Sequence, residues 1–247
     1  MAELLFFQLL APFAAFGTVA VGERRETAMH PAHSALAGLL AAALGLERSA
    51  PGIEALTANF AFAVRADKLG PPLPDFHTAQ TPPARTGKDK GKGWASRRDE
   101  LSGNVNTILS RRDYRCDCGF TVAVMERAPS PAEFSLAAIA ERLCRPHFTL
   151  YIGRKSCPLG APPDPRIIAC TSLTDGFAAY DKMRVHKPAS ANGTMSLDPA
   201  FVTVGLFNRT GISRSQSRRD WLVSRRGWRF DLREELTAHS PDPEVTS

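Results

Sequence analysis

A chain of 247 residues with 43% apolar content can bury a core as one domain, or as one domain with a small appendage, so its stability need not rest on disulfides or a structural metal. The net charge of +6 excludes a strongly acidic character and favours an anionic partner, weakly when taken alone. Five cysteines (Cys116, Cys118, Cys144, Cys157 and Cys170) are odd in number and irregular in spacing. No second pair completes a zinc tetrad, and they read as reduced thiols of a cytoplasmic protein.

Leu4 to Gly22 is apolar, but Glu3 stands before it with no Lys or Arg, and Gln8 and Pro12 interrupt it. A secretory signal needs a basic start, so this reading is set aside, and no other apolar run is long enough to cross a bilayer. Leu4 to Leu10 reads as a buried strand ended by Ala11-Pro12, and residues 13–30 as a loop holding Arg24, Arg25 and Thr27. Pro31 and Ser34 signal a helix start. Leu36, Leu39, Leu40, Ala43 and Leu44 then share one face, and Gly45 signals the stop. Phe60 to Arg65 is a second strand, in which Phe60, Phe62 and Val64 alternate with Ala61 and Ala63.

Residues 69–110 differ in kind: they are rich in Pro, Gly and basic residues and carry no core pattern. Tyr114 to Glu126 resumes as a strand, Ser130-Pro131-Ala132-Glu133 forms a capping box, and the helix it opens carries Leu136, Ile139, Ala140 and Leu143. Phe148 to Ile152 reads as another strand. The resulting order, βαββαβ, predicts an α+β, ferredoxin-like (RRM-like) domain over residues 1–160, with a long basic insertion at 79–110. Short strands at Ile167–Ser172, Phe201–Leu206 and Trp228–Leu232, with no strong helix, predict a small β-rich region over 161–235, followed by a disordered tail over 236–247.

Charge is clustered. Six Lys/Arg and one acid lie between Arg85 and Arg98, and seven Arg and one acid between Arg209 and Arg229. Clusters of this kind suit phosphate, because each neutralised phosphate releases counterions; they equally suit solvated segments. Leu150-Tyr151-Ile152-Gly153-Arg154-Lys155-Ser156-Cys157-Pro158 is the sharpest segment. Its glycine would let a phosphate or ribose approach the main chain, Arg154 and Lys155 would neutralise it, and Tyr151 would stack on a base; a strand end with a solvated turn fits the same residues. Asp75-Phe76-His77-Thr78 holds either an acid–base pair or a hydrogen-bonded turn. His77, Tyr151 and Lys155 could formally serve metal-independent RNA cleavage. Arg112 faces RNA, or pairs with Asp113 or Asp117. Trp94 suggests stacking on a base or a subunit contact.

Five segments together resemble the CasD family of type I-E Cascade, a branch of the repeat-associated RNA-binding proteins. They are Leu10-Ala11-Pro12 with Phe16-Gly17; Arg25, Thr27, Pro31, Ser34 and the helix to Leu46, then Arg48; Phe62 to Asp67 with Asp75 to Thr78; Arg112 to Phe120; and Leu150 to Pro158. Arg219-Asp220-Trp221 resembles a late Arg-Glu-Trp motif. The likeness covers residues 1–160 well and the rest loosely. The chain departs from the family pattern at Ala11, Ala32, His33 and Ala35, and His33 would make a phosphate contact there pH-dependent.

The resemblance implies a non-catalytic subunit that binds the 5′ handle of the crRNA and caps the backbone filament, with neither cofactor nor metal. By the same resemblance, Arg25, Thr27, His33, Ser34, Arg48, His77, Arg112, Tyr151, Gly153, Arg154 and Lys155 would meet RNA. The insertion would be a thumb carrying Arg85, Lys88, Lys90, Lys92, Trp94, Arg97 and Arg98. The implied partners are the filament subunit, the large subunit and, through the assembly, target DNA; no membrane is implied. The alternative is an endoribonuclease that processes repeat RNA, as in type I-C relatives of this fold.

Overall fold

The computed structural model describes residues 1–20, 22–48, 50, 52–82, 84, 88, 91, 93–188 and 193–239. The expected first strand is longer than its apolar run: β1 spans Ala2–Ala14 and passes through Pro12. Its central residues are apolar on both faces, as a strand covered on both sides requires. Leu5, Phe7 and Leu9 enter one core, and Leu4 and Phe6 the other.

Four further strands lie in the first half of the chain: β2 (Arg24–Arg25), β3 (Phe60–Lys68), β4 (Pro72–Thr81) and β5 (Asn106–Glu126). Later come β6 (Arg166–Cys170), β7 (Thr194–Leu197), β8 (Ile212–Ser224) and β9 (Arg229–His239). All nine join one sheet in the order β6-β1-β5-β3-β7-β9-β8, with β2 and β4 added on β5. Among the described residues only β2 pairs in parallel.

Helices cover both faces. Against the core of Leu5, Phe7, Phe120, Val122 and Val124 lie α1 (His33–Leu44), α2 (Gly52–Asn59) and α4 (Leu136–Cys144). Against Leu4, Phe6, Ala63 and Ala123 lies α5 (Leu173–Met183), followed by the single turn α6 (Ala200–Thr203). A further single turn, α3 (Arg97–Glu100), stands apart from both cores.

β5 has two lives. Residues 119–126 are sandwiched between β1 and β3, whereas residues 106–115 leave the core and pair with β4 from Pro72↔Arg115 to Thr81↔Asn106. Ten antiparallel pairs make an exposed two-stranded arm about 30 Å long. At the junction Asp117 takes a left-handed backbone (φ 51), and Gly70 packs where a Cβ would lie 1.3 Å from the Cys116 carbonyl oxygen.

Several expectations are corrected. Ser34 does not cap α1; the helix begins one residue earlier, and Asp220 of β8 accepts the His33 backbone N–H at 2.9 Å. The Ser130–Glu133 box opens only a short 3-10 turn, and α4 is capped by Ser135, whose Oγ accepts the Ala138 N–H. Phe148–Ile152 is not a strand: Leu150 and Ile152 are buried, but the chain folds back on itself through a Tyr151–Pro158 bridge. The β-rich region expected at 161–235 is not a separate sheet, because β6 adds to β1 and β7 to β3.

That region also holds α5, whose mid-helix Gly176 disguises it; a Cβ there would lie 2.4 Å from the Phe6 ring. Phe201–Leu206 forms α6 and a turn rather than a strand. β9 continues to His239 with Leu236 and Ala238 buried, so the tail does not begin at 236; residues 240–247 lie outside the described residues. Among the described residues no helix is long and apolar enough to cross a membrane.

Two buried ionic networks fasten the layers. Arg65 holds Asp181 of α5 with two bonds (2.9 and 2.7 Å) and Asp67 at 2.7 Å, while Arg184 reaches Asp67 at 3.0 Å and Thr121 at 2.9 Å. Two guanidiniums and two carboxylates leave this network neutral. Near β8 and β9, Arg218 and Arg233 engage Asp220 and Glu235. Burial alone would raise the Glu235 carboxyl, but the charges of His30 and Arg218 and bonds from Gln216 and Ser196 hold it at about 2.

Removing one member of a buried ionic network strands its partners, which costs about 3–5 kcal/mol. Arg184→Ala is therefore expected to lower the unfolding free energy by roughly that amount in a denaturant titration; an unchanged midpoint would show that the network is dispensable.

Acid should act through His33. Burial, then the charge of Arg233, pushes its imidazole down to about 3, whereas the unfolded residue titrates near 6.5. The unfolded state then binds a proton that the folded state refuses. Stability is complete above pH 6.5 and is lost as pH falls toward 3, by up to roughly 1.4 kcal/mol per unit. Melting temperature is expected to fall between pH 7 and pH 5, and His33→Gln to flatten that fall; equal slopes for both proteins would refute the assignment.

Candidate nucleic-acid interface

The turn at residues 151–158 is built around a backbone constraint. Gly153 has φ 84, and a Cβ on it would lie 1.7 Å from the Ala15 carbonyl oxygen. Only glycine accepts both the left-handed conformation and that approach. The Ala15 N–H donates to the Ile152 carbonyl at 3.3 Å, and the turn closes on itself through Ile152 N–H to Cys157 O (2.8 Å) and Cys157 N–H to Arg154 O (2.9 Å). The end of β1 thus fixes where Arg154 and Lys155 emerge.

Arg154 reaches the root of the arm. Its guanidinium carbon stands 4.6 Å from the centroid of the Tyr114 ring, and its nitrogens approach the Asp113 and Arg25 carbonyl oxygens at 3.4 and 3.3 Å. β2 brings Arg24 and Arg25 beside Arg111 and Arg112. Asp113 binds Arg24 at 3.3 Å and Arg111 at 3.1 Å, and Glu26 binds Arg24 at 3.3 Å. Among the described residues, Arg25, Arg112, Arg154 and Lys155 have no carboxylate within 4.0 Å. Three expected cations (Arg25, Arg112 and Arg154) therefore meet at the arm's root, where no acid among the described residues compensates them, and the other two expected residues, Gly153 and Lys155, flank Arg154 on the turn.

Other expected residues serve differently. The Thr27 hydroxyl accepts the Phe16 N–H at 2.8 Å and shapes the loop that presents Arg25. His33 is 2% exposed, its ring set against Phe62 and Trp221 and its Nε2 3.2 Å from the Phe60 carbonyl oxygen. It is a neutral core residue, so it can neither touch a phosphate nor switch a contact near neutral pH. Ser34 lines an open cleft of about 690 Å³ between residues 17–20 and the β8–β9 hairpin, which contributes Arg219, Trp228 and Phe230.

His77 lies out on the arm, 2.8 Å from Asp75 and opposite Ser110. No contact among the described residues joins it to Tyr151 or Lys155. At the arm's far end Lys88, Trp94, Arg97 and Arg98 are exposed; Arg97 reaches the Gln80 carbonyl at 2.9 Å. Arg85, Lys90 and Lys92 lie outside the described residues.

A second cationic group was only half visible in the sequence. Arg48 places its guanidinium 5.1 Å from the Trp228 ring centroid, and Arg225 places its own 4.2 Å from the same ring. Tyr151 is close enough to act electrostatically on Arg225. Sequence reasoning named Arg48 and Tyr151 but not Arg225 or Trp228. The available signal was Arg225-Arg226-Gly227-Trp228, a turn whose aromatic residue lies between cations.

The family model described as CRISPR-associated protein (Cas_Cas5) matches residues 4–227. A curated relative, the CRISPR system Cascade subunit CasD of Escherichia coli (strain K12), is 31% identical over 173 residues, 66% of this chain and 70% of that protein. Two solved structures share the fold at 22% identity. One, titled CRISPR RNA-guided surveillance complex, has a TM-score of 0.60 over 96% of this chain and 90% of the other. The second, titled Crystal structure of Cas protein, has a TM-score of 0.62 over 98% and 97%.

Gly153→Ala is expected to destabilise the protein by about 2 kcal/mol or more. Gly22→Ala is its control, since Gly22 has φ 76 and nothing within 4 Å of a Cβ, so it reports left-handed strain alone. Thermal unfolding should rank Gly153→Ala well below Gly22→Ala; equal destabilisation would remove the close approach to Ala15 from the account.

Proposed function

The chain belongs to the CRISPR-associated Cas5 family, and from that premise we propose that it is a non-catalytic subunit of a type I-E Cascade surveillance complex, holding the 5′ handle of the crRNA and capping the backbone filament. The observation that carries this reading is the patch at the arm's root. Arg25, Arg112 and Arg154 gather there with no carboxylate within 4.0 Å among the described residues, and Lys155 follows Arg154 on the glycine-locked turn. Uncompensated guanidiniums on a fixed backbone suit the phosphates of a strand held in one shape.

The chain order β1, α1, β3, β5, α4, β6 with sheet order β6-β1-β5-β3, antiparallel throughout, supports a ferredoxin-like, RNA-binding core. The arm of β4 and β5 is the thumb of this reading. It reaches between nucleotides and touches the neighbouring filament subunit, while the body meets the large subunit and the complex works in the cytoplasm. Base pairing by the guide reads the target, and protein holds the guide by its backbone. Endonucleolytic processing is not favoured: His77 is engaged by Asp75 on the arm, away from any contact with Tyr151 or Lys155 among the described residues.

The test uses purified full-length protein and single-stranded RNA carrying the repeat-derived handle of the neighbouring array. Arg112→Ala combined with Arg154→Ala is expected to weaken binding at about 0.1 M salt by roughly tenfold or more, and to flatten log K against log salt by about 0.7 for each phosphate no longer neutralised. Incubation with repeat RNA in EDTA should leave the RNA intact. Wild-type affinity and slope in the double variant would defeat the binding site. Specific cleavage that His77→Ala abolishes would defeat the non-catalytic reading.

A further inference from the structure

The arginine-rich β8–β9 hairpin has no part in the patch just described, yet its turn is held in one conformation. Ser224 pairs with Arg229, the Trp228 N–H donates to the Arg225 carbonyl at 3.3 Å, and the Gly227 N–H donates to Ser224 Oγ at 3.1 Å. The Arg225 N–H donates to Glu54 Oε1 of α2 at 2.7 Å, which ties the turn to the body of the protein. Trp228 has φ 51, a left-handed backbone that a bulky residue rarely adopts, although Gly227 stands next to it. Despite this rigidity the indole is 55% exposed. Strain kept at an exposed aromatic residue is better explained by what the ring holds than by packing.

What it holds is a pair of like charges. The Arg48 and Arg225 guanidiniums lie 5.1 and 4.2 Å from the centroid of one ring. One cation on a surface indole is ordinary; two repel each other. Among the described residues neither guanidinium has a carboxylate within 4.0 Å; Glu54 gives Oε1 to the Arg225 main chain, and its charge offsets only part of the effect of Arg48 on Arg225. Nε of Arg225 is shielded from water and meets no hydrogen-bond acceptor among the described residues. Burial, and after it the charge of Arg48, pushes the Arg225 guanidinium below its usual value, so a nearby anion would relieve the site. Tyr151 lies within electrostatic reach of Arg225, at the start of the turn that leads to Arg154.

We propose that Arg48 and Arg225, spaced by Trp228, form a second phosphodiester-binding subsite for single-stranded RNA, with Tyr151 beside it. The inference rests on the RNA-holding reading above and extends it: the strand continues from the arm's root, along the 151–158 turn, to the C-terminal hairpin. An acidic protein surface would also satisfy two guanidiniums. RNA is favoured because the turn that presents Arg154 to the first patch also presents Tyr151 to this one.

The experiment titrates handle RNA against full-length protein by fluorescence anisotropy between about 50 and 200 mM salt. Arg48→Ala and Arg225→Ala are each expected to lose roughly five- to tenfold in affinity and about 0.7 to 1 in salt slope. The double variant should lose little more than either single one, because one phosphate is shared. Trp228→Leu should weaken binding several-fold and Trp228→Phe should recover part of it, with melting temperatures tracked to confirm folding. If wild-type affinity and slope persist in Arg48→Ala/Arg225→Ala while Arg112→Ala/Arg154→Ala still weakens binding, this inference falls and the general reading stands. If wild-type protein binds without salt dependence, the general reading itself has failed. Unchanged RNA affinity together with failed assembly onto purified Cascade partners would assign the pair to a protein contact and overturn the proposal.

Discussion

One strand carries two structures that have no other reason to be aligned. β5 is buried between β1 and β3 along residues 119–126, then leaves the core as half of the exposed arm along 106–115. Because the same backbone serves both, the arm inherits its direction from the sheet instead of hinging on a flexible loop. The junction is fixed by close approach: the Gly70 backbone lies against the Cys116 carbonyl, and Asp117 adopts the left-handed turn that lets β5 change partners. The arginines of β2 then pair beside Arg111 and Arg112, and the Gly153 turn docks on the end of β1, which itself pairs with β5 as far as Arg115. Every part of the cationic root is thus referred to one strand.

Charge in this protein divides into two kinds that sequence cannot separate. Arg65, Arg184, Arg218 and Arg233 are structural. Each is matched by Asp67, Asp181, Asp220 or Glu235 inside networks that replace the water lost on burial. Arg25, Arg112, Arg154, Arg48 and Arg225 are surface residues left without such partners among the described residues. A run such as Arg218-Arg219-Asp220 looks in sequence like the run Arg225-Arg226, yet Arg218 is half-buried against Glu235 and Arg225-Arg226 caps an exposed hairpin. Neutral burial in one set leaves the net positive charge to the surface, so the uncompensated patches carry information about a partner.

Legibility follows the same division. Local signals were readable: the apolar run of β1, the alternation of β3, the face and glycine stop of α1, and the glycine of the 151–158 turn. Partner-dependent features were not. Asp220 caps α1 from almost two hundred residues away, so Ser34 looked like the natural cap. α5 hides behind Gly176, which is there because Phe6 occupies the space of a side chain. Leu150 and Ile152 are apolar for burial in a turn, a pattern that mimics a short strand. His33 looked like a replacement for a basic residue at a helix start; its immersion against Phe62, Trp221 and Asp220 depends on β8, which the sequence did not announce.

The chemistry of the two patches bears on how such a surface can be selective. Guanidiniums, lysine, a tyrosine ring and main chain dominate it. These groups address phosphates and stacked faces, and a guanidinium reads a base edge where it is aimed at the acceptor pair of guanine. On the proposed reading geometry adds selectivity: a bound strand would present phosphates at the spacing set by Arg112, Arg154 and Arg225. That spacing is rigid because Gly153 is locked against Ala15 and the hairpin turn is locked to Glu54. A flexible loop bearing the same arginines would accept any polyanion, whereas arginines fixed by backbone contacts accept one course of the chain. On the proposed reading the glycine and turn constraints would do for a nucleic-acid strand what a shaped pocket does for a small ligand.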